Sequence, residues 1–219
     1  MMQALELVLS NSPLFNGIAQ EDIGETLAYL SAVRKEYGKF ESIIHEGDIV
    51  DSVGILLSGL ARSEKTDSTG KLTIATLIAP GGYIGVLLSA SCGRTSPVSV
   101  RALERLSVLF VPVKNIIASC DCPHHSQLIR NLLDGVAEKA LVLHDRNDCL
   151  IKPTIRDKVL TFLSRFSRDA GSDSFTIPMG RDAMAEYLNT DRSALSRELS
   201  EMKRDGMIDY KKNWFKLKL

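Results

Sequence analysis

Two clusters in this 219-residue chain have residue types and spacings that could do chemistry. The first, Ser119 to His125, reads SCDCPHH and holds Cys120, Cys122, His124 and His125 within six residues. Thiolates and imidazoles suit zinc, iron or haem, and two close thiols can also form a redox pair. The spacing is Cys-x-Cys, not the Cys-x-x-Cys of zinc knuckles, and no second cysteine–histidine cluster follows. Three readings stay open: a metal or haem site on Cys120, Cys122 and His124, a redox-active thiol pair, and a structural helix start. The structural reading is preferred, so no metal is assigned.

The second cluster lies in NTDRSALSRELSEMKRDGMI, Asn189 to Ile208. At about 100° per residue, Leu195, Leu199 and Met202 share one helix face, opposite Ser193, Arg197, Ser200 and Arg204. Asp191 suits an N-cap and Gly206 a C-terminal stop. The preceding GRDAMAEYLN reads as a shorter helix with Met184 and Leu188 inward and Ala185 permitting close approach. Asn189 tolerates the left-handed backbone of a tight turn. Helix, short turn and polar-faced helix follow helix-turn-helix logic, which places the second helix in the major groove of DNA. Catalysis is not indicated. No Ser/His/Asp order, paired-carboxylate motif or phosphate loop occurs, and PGGYIG, Pro80 to Gly85, lacks the strand–helix context of a dinucleotide fingerprint.

The composition suits a globular protein that buries a core, with 44% hydrophobic and 25% charged residues. No apolar run approaches the roughly 18 residues of a membrane span. The start, MMQALELVLS, lacks a basic region and carries Glu6, so it does not read as a signal peptide. A cytoplasmic protein with reduced thiols is expected. Formal net charge is zero, but from Ile151 onward 14 Lys and Arg face 10 Asp and Glu, against 13 and 17 in the remainder. A basic C-terminal part is a weak pointer to a nucleic-acid partner.

Elements that could position these residues follow from the pattern. Leu14, Phe15, Ile18, Ile23, Leu27 and Leu30 have helix-like spacing over residues 12 to 30. From about Val33 to Val113, short apolar runs are cut by YGK, HEGD, LLSGL, DSTGK and APGGY, which predicts an antiparallel sandwich or roll. Asp67 and Gly70 suit a hairpin turn in KTDSTGKL. From about His124 to Leu150 a heptad fits, with Ile129, Val136, Leu143 and Leu150 at one core position and Leu133, Ala140 and Asn147 at the other. This spacing favours a two-stranded coiled coil whose register Asn147 would specify. Leu128, Leu132 and Val142 form a second apolar edge, expected to pack on the strand domain. Pro153 then interrupts the chain, and Thr154 with Asp157 reads as a helix N-cap. Beyond lie a helix, an extended SFTIP, the two helices above and a closing hairpin. Cys92 and Cys149 read as packing residues, His45 and His144 as surface residues.

Taken together these motifs resemble the Crp/Fnr family of transcription regulators over nearly the whole chain. FTIPMGRDAMAEYLNTDRSALSRELSEMKRDGMI matches that family's DNA-binding signature. PLFNGI, HEGDIVDSVGILLSG and PGGYIG match its cyclic-nucleotide-binding-type roll. The resemblance implies an α+β fold: an N-terminal antiparallel β-roll (jelly-roll-like) effector domain over residues 1–122, a long dimerisation helix over 123–151, and a C-terminal winged helix-turn-helix over 152–219. It implies a homodimer on near-palindromic double-stranded DNA and contact with RNA polymerase. Arg192, Ser193, Ser196 and Arg197 occupy the family's DNA-contact positions. Arg197 suits base reading, because a guanidinium can bond guanine O6 and N7. Arg192 and Ser196 suit phosphate or a supporting contact. Lys211 and Lys212 would touch phosphate from the wing. Many members carry glutamate where this chain has Ser193, which changes the half-site expected.

The sensor departs from the nucleotide-binding members. Their ribose-holding glutamate follows the last glycine of PGGYIG; here Gly85 is followed by Val86. Their phosphate-binding Arg-Ser pair falls on Ser96 and Pro97, with Arg94 two residues early. Helix positions that would meet the base hold Leu141 and Val142. A phosphate buried without an arginine leaves an unpaired charge. Cyclic AMP is therefore not expected as effector. Gly85, Val86, Leu87, Ser96, Pro97, Val98 and Leu141 would instead frame an apolar version of the pocket for an unknown small molecule. The expected function is a dimeric, sequence-specific regulator gated by an effector or redox signal, whose hinge lies near Ile151 to Thr154. The alternative is a small-molecule, haem or metal sensor that acts through protein partners rather than DNA.

Overall fold

The computed structural model describes residues 2–66, 72–91, 93, 95–118 and 122–218, with side chains for all of these except 2–5, 66 and 72–75. Helices α1 (Met2–Ser10) and α2 (Ile23–Leu30) precede strands β1 (Val33–Tyr37), β2 (Ser42–Ile44), β3 (Ser52–Ser58), β4 (Ala61–Thr66), β5 (Leu72–Ile78) and β6 (Tyr83–Ile84). A short helix α3 (Val86–Ser89), strands β7 (Ser99–Ala102) and β8 (Leu106–Pro112) and helix α4 (Val113–Ile117) lead into the long helix α5 (His125–Leu150). Then come α6 (Ile155–Ala170), β9 (Ser174–Thr176), α7 (Arg181–Tyr187), α8 (Arg192–Arg204), β10 (Ile208–Lys211) and β11 (Trp214–Leu217). The chain divides into two compact units, Met1–Lys139 and Ala140–Leu219, and α5 contributes to both.

In the N-terminal unit two four-stranded antiparallel sheets, β1-β8-β3-β6 and β2-β7-β4-β5, form the roll. Strand β3 shows why. Val53, Ile55 and Leu57 on one face pack with Leu9, Phe15, Leu109 and the first half of α5. Leu56 on the other face packs with Ala61, Val100 and Val108 between the sheets. A strand buried on both faces reads as a continuous apolar run, as this one does. Glu64 on β4 is only 6% exposed. Arg62 donates to it at 2.6 Å and Arg101 lies 3.0 Å from it, so the buried carboxylate is paired. The expected turn at Asp67 and Gly70 lies outside the described residues; β4 and β5 on either side of it pair antiparallel.

The helical pattern over residues 12 to 30 is only partly a helix. Pro13–Phe15 and Gln20–Asp22 are single 3₁₀ turns, and only Ile23–Leu30 is α-helical. Pro13 has no amide to continue a helix and Gly17 takes φ +78°. The apolar residues are buried all the same, because the turns lay Leu14, Phe15 and Ile18 into the same core as Ile23 and Leu30. Leu128 and Leu132 of α5 enter that core, and buried Asn131 donates to the carbonyls of Leu14 and Asn16, both at 2.8 Å.

The C-terminal unit has its own core. Val159, Phe162 and Leu163 of α6 pack with Met184, Ala185, Leu195, Leu199, Met202, Ile208 and Phe215. The small sheet β10-β11-β9 closes it. Cys149, at the end of α5, is buried in this core. Burial pushes its thiol up to about 11, which fits packing rather than reactivity.

Gly59 in the β3–β4 turn takes φ +81°, and a Cβ there would lie 2.7 Å from Leu106 Cβ and 2.8 Å from the Arg105 carbonyl. Gly59→Ala should therefore lower the stability of the N-terminal unit by about 2–3 kcal/mol, from left-handed strain plus overpacking against backbone. Urea unfolding checks it; a change under about 0.5 kcal/mol would contradict the turn geometry.

Candidate nucleic-acid interface and effector region

Helix α8 is pinned from behind and open in front. Leu195, Leu199 and Met202 are fully buried. Arg156 of α6 donates to Glu198 at 2.6 Å and lies 2.9 Å from Asp205, while Lys203 lies 2.6 Å from Asp209 of β10. These contacts hold both halves of the helix. Arg192, Ser193 and Arg197 are exposed, and Ser196 is half-buried. Asp191 caps the helix, accepting from the amides of Ser193 at 2.8 Å and Ala194 at 3.0 Å. The turn before it follows the backbone expectation: Asn189 takes φ 46°, and the Thr190 amide donates to the Ala185 carbonyl at 3.0 Å.

Two candidate contact residues have partners that sequence spacing does not show. The Ser193 hydroxyl donates to Asp191 Oδ1, so this serine reinforces the cap as well as facing solvent. Arg192 Nε lies 3.0 Å from Asp182 Oδ1 in the first turn of α7. A carboxylate is thus set among the cationic groups of this surface. Lys211 and Lys212 are exposed at the β10–β11 turn, where Lys212 takes φ 56°. Behind the turn, Arg181 donates to the Lys212 carbonyl at 3.4 Å and lies over Tyr210 and Phe215 at 5.2 and 5.4 Å. Arg181 is therefore a wing support that the sequence reading missed.

The residues proposed around the effector are differently placed. Gly85 takes φ +72° and starts α3. The Val86 side chain is buried in the roll's main core, with Leu87 packed against it. Buried Ser96 donates to the Val98 carbonyl at 2.6 Å, and Pro97 is exposed. Leu141 is 62% exposed and belongs to the C-terminal unit. Tyr83, in β6 two residues before Gly85, lies against Gly135 of α5, where a Cβ would come within 2.6 Å of its ring. A cleft of about 310 Å³ opens elsewhere on the roll, lined by Val33, Lys35, Tyr37, Ile49 and Phe110 among others.

The cysteine–histidine cluster is divided. Cys120 lies outside the described residues, as do Cys92 and Arg94. Cys122 is buried in the roll core. His124 Nε2 lies 3.1 Å from Asp22 Oδ2, tying the start of α5 to α2. Among the described residues no group of three or more His, Cys, Asp or Glu has a metal-binding arrangement. His144 pairs with Asp148 at 3.5 Å on the exposed side of α5.

Comparison with known proteins agrees with this architecture. Residues 34–121 match the cyclic nucleotide-binding domain and residues 157–218 the Crp-like helix-turn-helix domain. The transcriptional activator FnrL of Cereibacter sphaeroides is 27% identical over 203 residues, covering 84% of this chain and 76% of that one. The cyclic AMP receptor protein of Thermus thermophilus is 26% identical, covering 91% and 89%. The structure of FixK2 from Bradyrhizobium japonicum has the same fold, with 24% identity, 86% and 93% coverage and a TM-score of 0.53. The chain belongs to the Crp/Fnr family. It is a transcription regulator of that type with a DNA-binding helix-turn-helix. Its relatives are regulators rather than enzymes, and among the described residues no helix is long and apolar enough to cross a membrane.

Asp191 is held below its ordinary value of 3.8, first by the Ser193 hydroxyl and then by the Ala194 and Ser193 amides. A depressed folded value contributes stability that is present above 3.8 and lost as pH falls through the folded value. Asp191→Ala should lower stability at neutral pH through loss of the N-cap, and should flatten the acid loss. Asp209, depressed by Lys203, keeps part of that loss in the variant. The single tryptophan, Trp214, reports unfolding of this unit by fluorescence. An unchanged acid profile would remove Asp191 from that role.

Proposed function

We propose that the protein is a homodimeric, sequence-specific regulator whose affinity for DNA is set by an effector or redox signal, and that cyclic AMP is not that effector. The observation that carries the reading is helix α8, anchored behind by Leu195, Leu199, Met202 and Arg156 and presenting Arg192, Ser193, Ser196 and Arg197 in front. A rigid helix with an exposed guanidinium suits the major groove, where Arg197 would read guanine. Lys211 and Lys212 would hold phosphate at the flank and fix register.

Pairing through α5 supports the dimer. Leu133 is 62% and Leu143 48% exposed, beside half-buried Ile129, Val136 and Leu150 and exposed Ala140 and Asn147. An exposed apolar stripe in heptad register favours a second copy. Two copies would present two α8 helices to half-sites about one DNA turn, roughly 34 Å, apart. The domain limits that fit this reading are 1–122, 123–151 and 152–219. A cytoplasmic location and contact with RNA polymerase follow the family habit.

For the signal, the chain offers Val86 where nucleotide-binding members place a glutamate, and Ser96-Pro97 where they place Arg-Ser. Val86 is buried among apolar residues, so a ribose hydroxyl would find no acceptor from it. An effector taken up near Gly85–Leu87 and Ser96–Val98 of the N-terminal unit would be a small apolar or weakly acidic molecule, since these positions offer it no charged side chain.

Arg197→Ala should weaken binding to a selected duplex by about 1–3 kcal/mol and leave binding to scrambled duplex nearly unchanged. Fluorescence anisotropy on both duplexes reads this, and retained discrimination would defeat the assignment. Titration calorimetry with cyclic AMP should give no heat at ligand up to about 1 mM, a limit near −4 kcal/mol. A micromolar constant would overturn the exclusion.

A further inference from the structure

The last turns of α5 are bonded to the helix-turn-helix. Arg146 Nε donates to the Tyr187 carbonyl at 3.2 Å and its Nη2 to the Glu186 carbonyl at 3.3 Å. Its guanidinium lies 5.5 Å from the centre of the Tyr187 ring. Lys158 of α6 donates to the next carbonyl, that of Leu188, at 3.3 Å. Three consecutive carbonyls at the end of α7 thus each accept from a cationic side chain. These are groups a helix C-terminus leaves unsatisfied, and they carry its negative dipole end. The turn that follows, through Asn189, leads directly into α8.

Arg146 is not alone. Its neighbour Asp145 lies 3.2 Å from Arg165 of α6, and Cys149 is buried in the core of the same unit. The C-terminal end of α5 and the helix-turn-helix are therefore fastened across the Ile151–Thr154 turn that joins α5 to α6. Asp145 and Cys149 hold α5 to the unit in general. Arg146 alone of the three bonds the backbone of the helix-turn-helix itself.

We propose that Arg146 is a positioning residue for DNA recognition. It fixes one arrangement of the Ile151–Thr154 turn, and so the direction in which α8 leaves α5. In a dimer paired through α5, that direction sets the separation of the two recognition helices. Arg146 then determines which spacing between DNA half-sites is accepted, without touching DNA. The inference rests on the dimeric DNA-binding reading above.

The test uses the full chain and duplex DNA. Wild-type protein selects a palindrome from a random pool; its single half-site, and palindromes with the half-sites moved apart by one or two base pairs, complete the set. Arg146→Met keeps the aliphatic stem and removes every donor. It should bind the half-site within about twofold of wild type and lose about tenfold of its preference for the selected spacing, the scale of a positional coupling. Arg146→Lys, which can reach one carbonyl, should recover part of that preference. Half-site binding that falls in parallel would mean the reading head itself is damaged and would overturn the proposal. So would an unchanged spacing preference in Arg146→Met. A wild-type protein that selects no duplex overturns the DNA-binding reading and this inference with it, and is distinguishable because it appears before any variant is made.

Discussion

One helix has to satisfy two cores. The first half of α5 buries Leu128 and Leu132 in the roll, and its end buries Cys149 in the winged-helix unit. Between these lie Leu133, Leu141 and Leu143, which neither core covers. A 26-residue helix spans about 39 Å at 1.5 Å per residue, so no single small core can bury it from end to end. The division of the chain at Lys139 and Ala140 falls inside this helix for that reason. Each unit fixes the part of the helix it touches.

Packing of the roll against α5 is controlled by small residues as much as by large ones. Gly135 leaves room for the ring of Tyr83, whose hydroxyl is buried with no hydrogen-bond partner among the described residues. Burial in this setting raises the phenol's pKa, so the group stays neutral at physiological pH. An unsatisfied buried hydroxyl costs on the order of 1–3 kcal/mol. A structure that keeps it retains a polar group between strand β6 and the long helix.

Much of this was legible in the chain itself. Glycine punctuation marked the strands, because turns with positive φ at Gly59, Gly81 and Gly85 tolerate little else. The helix-turn-helix was legible because its apolar spacing, its cap at Asp191 and its left-handed Asn189 all specify one local structure. What was not legible depends on long-range placement. Residues 13–22 carry helical spacing but fold as separate turns, since Pro13 and Gly17 outweigh periodicity. Glu64 gives no sign of burial on its own; it needs Arg62 and Arg101, the latter from another strand. Arg146 reads as one more exposed heptad residue until α7 supplies the carbonyls. At the effector region, sequence could say which ligand groups were missing, since Val86 and Pro97 carry no charge. It could not say that Val86 is spent on the core.

The strength of the link at Arg146 bears on how a signal could act. Its two bonds to carbonyls are long, 3.2 and 3.3 Å, and hydrogen bonds from charged groups contribute about 1.5–3 kcal/mol each at best. The half-exposed pair of Asp145 with Arg165 adds at most about 1 kcal/mol. The fastening is therefore worth a few kcal/mol in all. Moving a two-state equilibrium from mostly one form to mostly the other takes about 5.5 kcal/mol of differential binding. A fastening much stronger than this would leave the reading head fixed whatever bound to the roll. In the proposed dimer, one much weaker would let the two α8 helices wander and forfeit discrimination between spacings. The clamp seen here lies in the range where a single small ligand, binding one arrangement of α5 more tightly than the other, has enough free energy to engage or release it.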